Sequence, residues 1–189
     1  MTPADGGVAW HFDAGAESLD FAYSGALGSP AVERLHSPAD LGAWLVGHLG
    51  QPTLTEAGER DLSDALILRE VLGRLYPAAA DARALDPDDV DTLNLFAATP
   101  DIPPTLPGGR RQAGAGRIRI AQALSTLARE AVANLAACEE GRIRRCAAAD
   151  CRLVFHDESR TSTRRWCSMQ RCGNRAKVRA HRARARVAS

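Results

Sequence analysis

Near one end of the sequence, four cysteines stand in two pairs of equal spacing: Cys146-x4-Cys151 and, fifteen residues on, Cys167-x4-Cys172. Two thiolate pairs joined by a short loop suit Zn²⁺, which takes four tetrahedral ligands and binds sulfur well. A gap of four is long for a ligand pair, so local structure must permit it. Leu153-Val154-Phe155 reads as a strand, which puts Cys146 and Cys151 at the two sides of a hairpin turn. Ser168 suits a helix cap and the chain favours helix to about Val187. Cys167 then lies just before a helix and Cys172 in its first turns, where the helix N-terminus favours thiolate. A hairpin knuckle plus a helix start, closed on one ion, is a treble-clef-like module. Four thiolates leave no position for water or substrate, so the expected zinc is single and structural. Two alternatives compete. Four unrelated buried cysteines conflict with the matched spacings. A disulfide framework conflicts with an opening stretch that has no basic region followed by an apolar run, from which a reducing, cytoplasmic location is expected.

The residues around the thiols carry the second signal. Arg164, Arg165, Arg171 and Arg175 crowd the second pair. From Arg142 to Ser189 there are 14 Lys+Arg against 3 Asp+Glu, whereas residues 1–141 hold 10 against 20. Two blocks of opposite sign imply two jobs, and a short basic block suits a polyanion. At 100° per residue, Met169, Cys172, Ala176, Ala180, Ala183 and Val187 fall within roughly an 80° arc, an apolar stripe able to lie on the knuckle or the larger domain. Arg171, Arg175, Arg179, Arg182 and Arg186 fill a second arc; Asn174, Lys177, His181 and Arg184 fill the third side. Arginine forks match phosphate geometry, so Arg171, Asn174, Arg175, Lys177, Arg179, Arg182 and Arg186 are the candidate nucleic-acid contacts. A merely solvated basic face, or pairing with the acidic surplus of residues 1–141, are the competing readings. Phe155 and Trp166 are placed either to stack on bases or to pack over the metal site. His156 and His181 are expected to face solvent or phosphate, and Cys138 to be core.

A basic helix needs a body to hold it. Ser37 as cap, Pro38 next and Gly50 as stop predict a helix, with Leu41, Trp44, Leu45 and Leu49 buried. Thr55 opens a longer helix to about Ala79, with Leu62, Ala65, Leu68, Leu72, Leu75 and Tyr76 at helical spacing. Asp86 and Pro87 start another, facing inward through Val90, Leu93 and Phe96/Ala97. "PDIPPTLPGG" is a proline-stiffened loop, and "RRQAGAGRIRI" reads as two short strands about a glycine turn. A last helix carries Ile120, Leu124, Leu127, Ala128, Ala131 and Leu135. "WHF" and "SLDFAYSG" read as brief strands or turns. The expected fold class is α+β: a mostly helical N-terminal domain (1–140) with a small hairpin or sheet, then the treble-clef-like four-cysteine zinc module (141–189) with its basic helix.

"RRWCSMQRCGNRAKVRAHRAR", with "CAAADCRLVFHDESRT" before it, closely resembles the CGNR zinc finger, named for the tetrapeptide that here is Cys172-Gly173-Asn174-Arg175. The resemblance spans about residues 140–187 and implies Cys146, Cys151, Cys167 and Cys172 as ligands. The preceding body resembles the ABATE domain, through "SLDFAYSG" and "LGAWL"; Tyr23-Ser24 replaces that family's usual Asn-Thr. Its members are described as stress-induced bacterial transcription regulators. The resemblance thus implies a DNA-binding finger and a body that senses a small molecule or protein partner. The rival reading is a zinc-stapled interaction protein whose basic helix docks on an acidic surface or on a second copy, or binds RNA. Asn174 and Arg175 admit several roles: cap, donor to a thiolate, or base contact. No phosphate-cradling loop, HExxH or Ser/His/Asp set is present, so no enzymatic activity is expected. No run approaches the ~18 apolar residues of a membrane span.

Overall fold

The element that organises the chain is a 22-residue helix, Glu59–Ala80, long enough to touch nearly everything else. The computed structural model describes residues 13–25, 27, 32–50, 55–104, 118–137 and 141–187, apart from the side chains of residues 170, 171, 180, 181, 183 and 185–187. In chain order the elements are α1 (Glu17–Ala22), α2 (Pro38–Leu49), α3 (Glu59–Ala80), α4 (Pro87–Ala98), α5 (Ile120–Ala136), β1 (Ile143–Arg145), β2 (Val154–His156), a π-helical turn (Met169–Gly173) and α6 (Asn174–Val187). α3 packs against α1, α2, α4 and α5 on its helical neighbours' side and against both strands on another. Among the described residues the fold is mostly helical with one two-stranded antiparallel sheet, as the sequence implies.

Local chemistry accounts for most helix ends. The Ser37 hydroxyl accepts from the Asp40 N–H at 3.2 Å, and Gly50 ends α2 in a left-handed conformation (φ +61°). Asp86 accepts from the N–H groups of Asp88 and Asp89 and Pro87 occupies the first turn of α4. The apolar stripes of α3 and α5 are buried.

Three sequence expectations are corrected. "SLDFAYSG" is not strand: residues 17–22 form α1. Ala16 cannot cap that helix, so α5 does so instead. The Glu130 carboxylate accepts from the N–H of Glu17 (3.2 Å) and of Ser18 (2.6 Å), meeting the unpaired donors and positive end of α1. α3 starts at Glu59, not near Thr55: the Thr55 N–H donates to the Ile118 carbonyl (2.8 Å), and residues 55–58 lie outside the helix. Ile120 begins α5 and does not end a strand. Most of the expected 110–120 hairpin, "WHF" at 10–12 and Cys138 lie outside the described residues.

The cysteine-bearing segment is fused to the helical body by buried main-chain contacts. The His156 N–H donates to the Ala14 carbonyl at 2.7 Å, so residues 13–15 run along the outer edge of β2. Gly15 is required there: its φ is +84° and a Cβ would lie 2.3 Å from the His156 carbonyl oxygen. Tyr23, just past α1, donates its hydroxyl to the Val154 carbonyl (3.0 Å) and accepts from the Val154 N–H (2.8 Å). Arg145 of β1 grips both oxygens of Asp81, at the C-terminal end of α3, one of them through Nη2 at 2.7 Å. A single apolar core then runs from α1 to Phe155, Cys167 and Cys172.

Tyr23→Phe leaves a buried N–H and a buried carbonyl of Val154 without this partner. Denaturant unfolding should show a loss of about 1–3 kcal/mol, with the midpoint moving and the slope unchanged.

Candidate metal centre and basic helix

Cys146 follows β1, and its N–H donates to the Leu153 carbonyl at 2.8 Å, extending the hairpin pairing by one step. The Cys151 N–H closes the knuckle on the Ala148 carbonyl (2.9 Å). The Ala147 N–H donates to the Arg165 carbonyl (2.9 Å), which brings the later loop beside the knuckle. Cys172 lies in the π-helical turn, where the N–H groups of Cys172 and Gly173 both donate to the Ser168 carbonyl at 3.0 Å. The turn is tight: a Cβ on Gly173 would lie 2.8 Å from the Met169 sulfur.

These elements bring the four Sγ atoms within 4.8 Å of one another. Cys151–Cys167 and Cys167–Cys172 are 3.7 and 3.6 Å apart. A tetrahedron with Zn–S bonds of about 2.3 Å has an edge of about 3.8 Å, which these two separations match, so the donor set suits Zn²⁺. Cys146, Cys167 and Cys172 are buried and Cys151 half-buried, which excludes competing water from most of the site. Burial pushes the Cys151 thiol up to about 11 and raises that of Cys167 as well. At Cys172 burial acts the same way, but the hydrogen bond from Arg175 and those among the clustered thiols outweigh it and the thiol is lowered. The Arg175 Nη2 donates to the Cys172 sulfur at 3.2 Å, so Arg175 is the residue that orients and polarises a ligand. The four cysteines hold one structural zinc.

The loop between the pairs is organised by two residues that spacing does not reveal. Asp157 is fully buried, and its carboxylate accepts from the N–H and hydroxyl of Ser159 and from the Arg164 N–H (2.9 Å). Burial pushes its carboxyl up, but these hydrogen bonds overcome that and hold it below the ordinary range. The Arg164 guanidinium lies over the Phe155 ring (4.7 Å) and donates to the carbonyls of Asp13, Trp166 and Cys167, tying the N-terminal segment to the ligand loop. The Asp-x-Ser pattern of an Asx-turn is the one available sequence signal for Asp157.

The other candidates divide. Phe155 is fully buried and unavailable to bases; Trp166 is partly buried beside Gly173. His156 is half-buried, and its Nδ1 lies 3.1 Å from the Gly15 carbonyl. Met169 is 53% exposed, so the expected apolar stripe is not buried along its length. On α6, Asn174, Arg175, Lys177, Arg179, Arg182 and Arg184 are all exposed. Arg175 and Arg179 pair with Asp150 of the knuckle, and the Arg179 contact foremost holds that carboxyl below its usual range. Lys177, Arg182 and Arg184 have no acidic partner among the described residues. The side chains of Arg171, His181 and Arg186 lie outside the described residues.

A second grouping of ligand-type atoms, Glu17, Asp20 and His48, also falls within 4.8 Å. It belongs to the network that caps α1. His48 Nδ1 meets Glu17 at 3.0 Å under the stacked Trp44 ring, and Asp20 accepts from the Ala14 N–H at 2.9 Å. Burial, opposed by the Ala14 hydrogen bond and reinforced by the charges of Asp13, Glu17 and Glu130, pushes the Asp20 carboxyl up to about 7.

Two comparisons bear on this arrangement. A family model described as "CGNR zinc finger" matches residues 142–185, and the ABATE model, described as "Putative stress-induced transcription regulator", matches residues 15–137. A search of curated protein sequences gives no match.

Elemental analysis of the reduced protein should find one zinc per chain. Its removal by a chelator should lower the thermal midpoint by many degrees, since structural zinc contributes on the order of 10 kcal/mol. Cys167→Ser should abolish stoichiometric zinc. For Asp20 the raised value fixes the sign. Between about pH 4, where an unfolded Asp ionises, and about pH 7 the folded chain keeps a proton that the unfolded chain has lost. Stability therefore falls as pH rises through that window. Asp20→Asn retains an acceptor for Ala14, so its stability relative to wild type should climb from pH 4 to 7, measured by denaturant midpoints.

Proposed function

Since the chain belongs to the ABATE family and carries a CGNR zinc finger, we propose that it is a cytoplasmic bacterial transcription regulator, without enzymatic activity, that binds duplex DNA through α6. The observation that carries this reading is Lys177, Arg182 and Arg184, exposed on a helix that starts two residues after a metal ligand and without an acidic partner among the described residues. Cations along one helix that no carboxylate relieves attract a polyanion, and guanidinium forks suit phosphate. Contacts from Arg171, Arg175, Lys177, Arg179, Arg182 and Arg186 go mainly to phosphate, and Asn174 at the helix start is the first residue to consider for base readout. The helical body acts as the receiver of a signal, small molecule or protein. Support for that comes from the junction: any change that moves α1 acts on Val154 through Tyr23.

A second reading is favoured by Val178, 48% exposed in the middle of α6. Here the finger is a staple and α6 docks on an acidic protein surface or a second copy of the chain.

Binding of the zinc-loaded protein to a random duplex pool, titrated with salt, separates them. Six phosphate contacts give a slope of log K against log[salt] of about −5. Lys177→Gln with Arg182→Gln should reduce that slope by about two and leave zinc content unchanged. Enrichment of one duplex sequence supports the regulator; self-association with no duplex preference supports the second reading, and preference for single strands assigns the polyanion to RNA.

A further inference from the structure

One carboxylate interrupts the cationic surface, and it comes from the zinc knuckle. Asp150 sits in the turn between Cys146 and Cys151. Its Oδ2 lies 3.1 Å from Nη1 of Arg175 and 3.1 Å from Nη2 of Arg179, and its Oδ1 lies 3.4 Å from Nη1 of Arg179. Two guanidinium groups, one helical turn apart, thus converge on a single anionic oxygen. Arg175 cannot swing away freely, because its Nη2 is engaged by the Cys172 sulfur. The zinc ligand therefore fixes the fork, and Asp150 shows where an oxyanion sits in it. The three side chains remain open to water, at 40%, 50% and 60% exposure for Asp150, Arg175 and Arg179. The arrangement is accessible and not part of the core. No other described acid meets α6, and in the segment from Arg142 to Ser189 only Asp157 and Glu158 are also acidic.

We infer that Arg175 and Arg179 form a seat for one backbone phosphodiester, and that Asp150 fills this seat in the unbound protein and yields it on binding. The inference rests on the reading of α6 as a nucleic-acid-binding element and adds a built-in competitor to it. A phosphodiester oxygen offers the same charge and the same lone pairs as the carboxylate. An exposed carboxylate is held weakly, because water and salt screen the pair. A duplex brings a dense array of charges whose condensed counterions are released on binding, and an isolated anion does not. Asp150 therefore discriminates: free phosphate or a mononucleotide gains too little to displace it, whereas a duplex does. Once displaced, the carboxylate faces a phosphate of like charge, so it lowers affinity for every duplex and leaves base recognition to the remaining contacts.

The test uses the full zinc-loaded chain and a random-sequence DNA duplex, with affinity measured across a salt series. Asp150→Asn should bind about threefold more tightly at low salt and steepen the salt slope by up to about one, because no freed carboxylate takes up a counterion when phosphate fills the seat. Asp150→Ala should do the same. The gain should vanish in an Arg179→Gln background, and Glu158→Gln, an acid outside the fork, should give less than half of it. Unchanged or weaker duplex binding by both Asp150 variants, with zinc content retained, overturns the inference while wild-type binding keeps the functional reading intact. Absence of duplex binding by wild type and variants alike overturns both.

Discussion

Four sulfurs that meet at one point set the position of everything the C-terminal segment presents. Neither strand of the hairpin exceeds three residues, and two such strands cannot hold a sheet in water by themselves. Zinc closes the knuckle onto the π-helical turn, and that turn decides where α6 begins and in which direction its arginines point. The ion's own surroundings extend outward in order. Arg175 holds a ligand sulfur, Asp150 holds Arg175, and Arg164 holds the carbonyl of another ligand. The charge of a tetrathiolate zinc site, formally −2, is thereby answered by a guanidinium that also belongs to the helix surface. The metal and the binding face are one electrostatic unit.

The finger is also not an appendage. Family models divide the chain near residue 140, yet the core crosses that line without a break. Tyr23 occupies the middle of the junction with its hydroxyl making both hydrogen bonds that Val154 would have made to a third strand. An aromatic ring thus reaches from the end of α1 across to β2. The acidic excess of the helical part is used here as well, since Asp81 takes Arg145 at the end of α3, where a cation also suits the helix dipole.

What is legible in the sequence follows from range. The zinc ligands are readable because spacing within 27 residues reports directly on one tetrahedral ion. α2 and α4 are readable because Ser37, Gly50 and Asp86 act on their own neighbours. α1 escapes a local reading because its cap is Glu130, more than a hundred residues away, and no nearby pattern announces it. Thr55 looks like a helix start for a similar reason: its N–H is taken by the distant Ile118. His156 looks like a surface histidine because the backbone that covers it, Ala14 and Gly15, lies at the opposite end of the chain. Asp150 is hidden in plain view among alanines. Its meaning depends on which arginines come round to face it, and that is set by the π-helical turn, which widens the helix by one residue just before they appear.

The pairing of Ala14 with His156 has a consequence for how the chain is made. At about 5–20 residues per second, β2 leaves the ribosome on the order of ten seconds after the segment it must join. Throughout that interval the Ala14 carbonyl and the Tyr23 hydroxyl have no Val154 or His156 to meet, whatever the helices achieve among themselves. The later-made segment locks the earlier one, so nascent chains interrupted before residues 154–156 emerge carry an unlatched edge at residues 14–23, open to solvent and to whatever reads unfinished proteins.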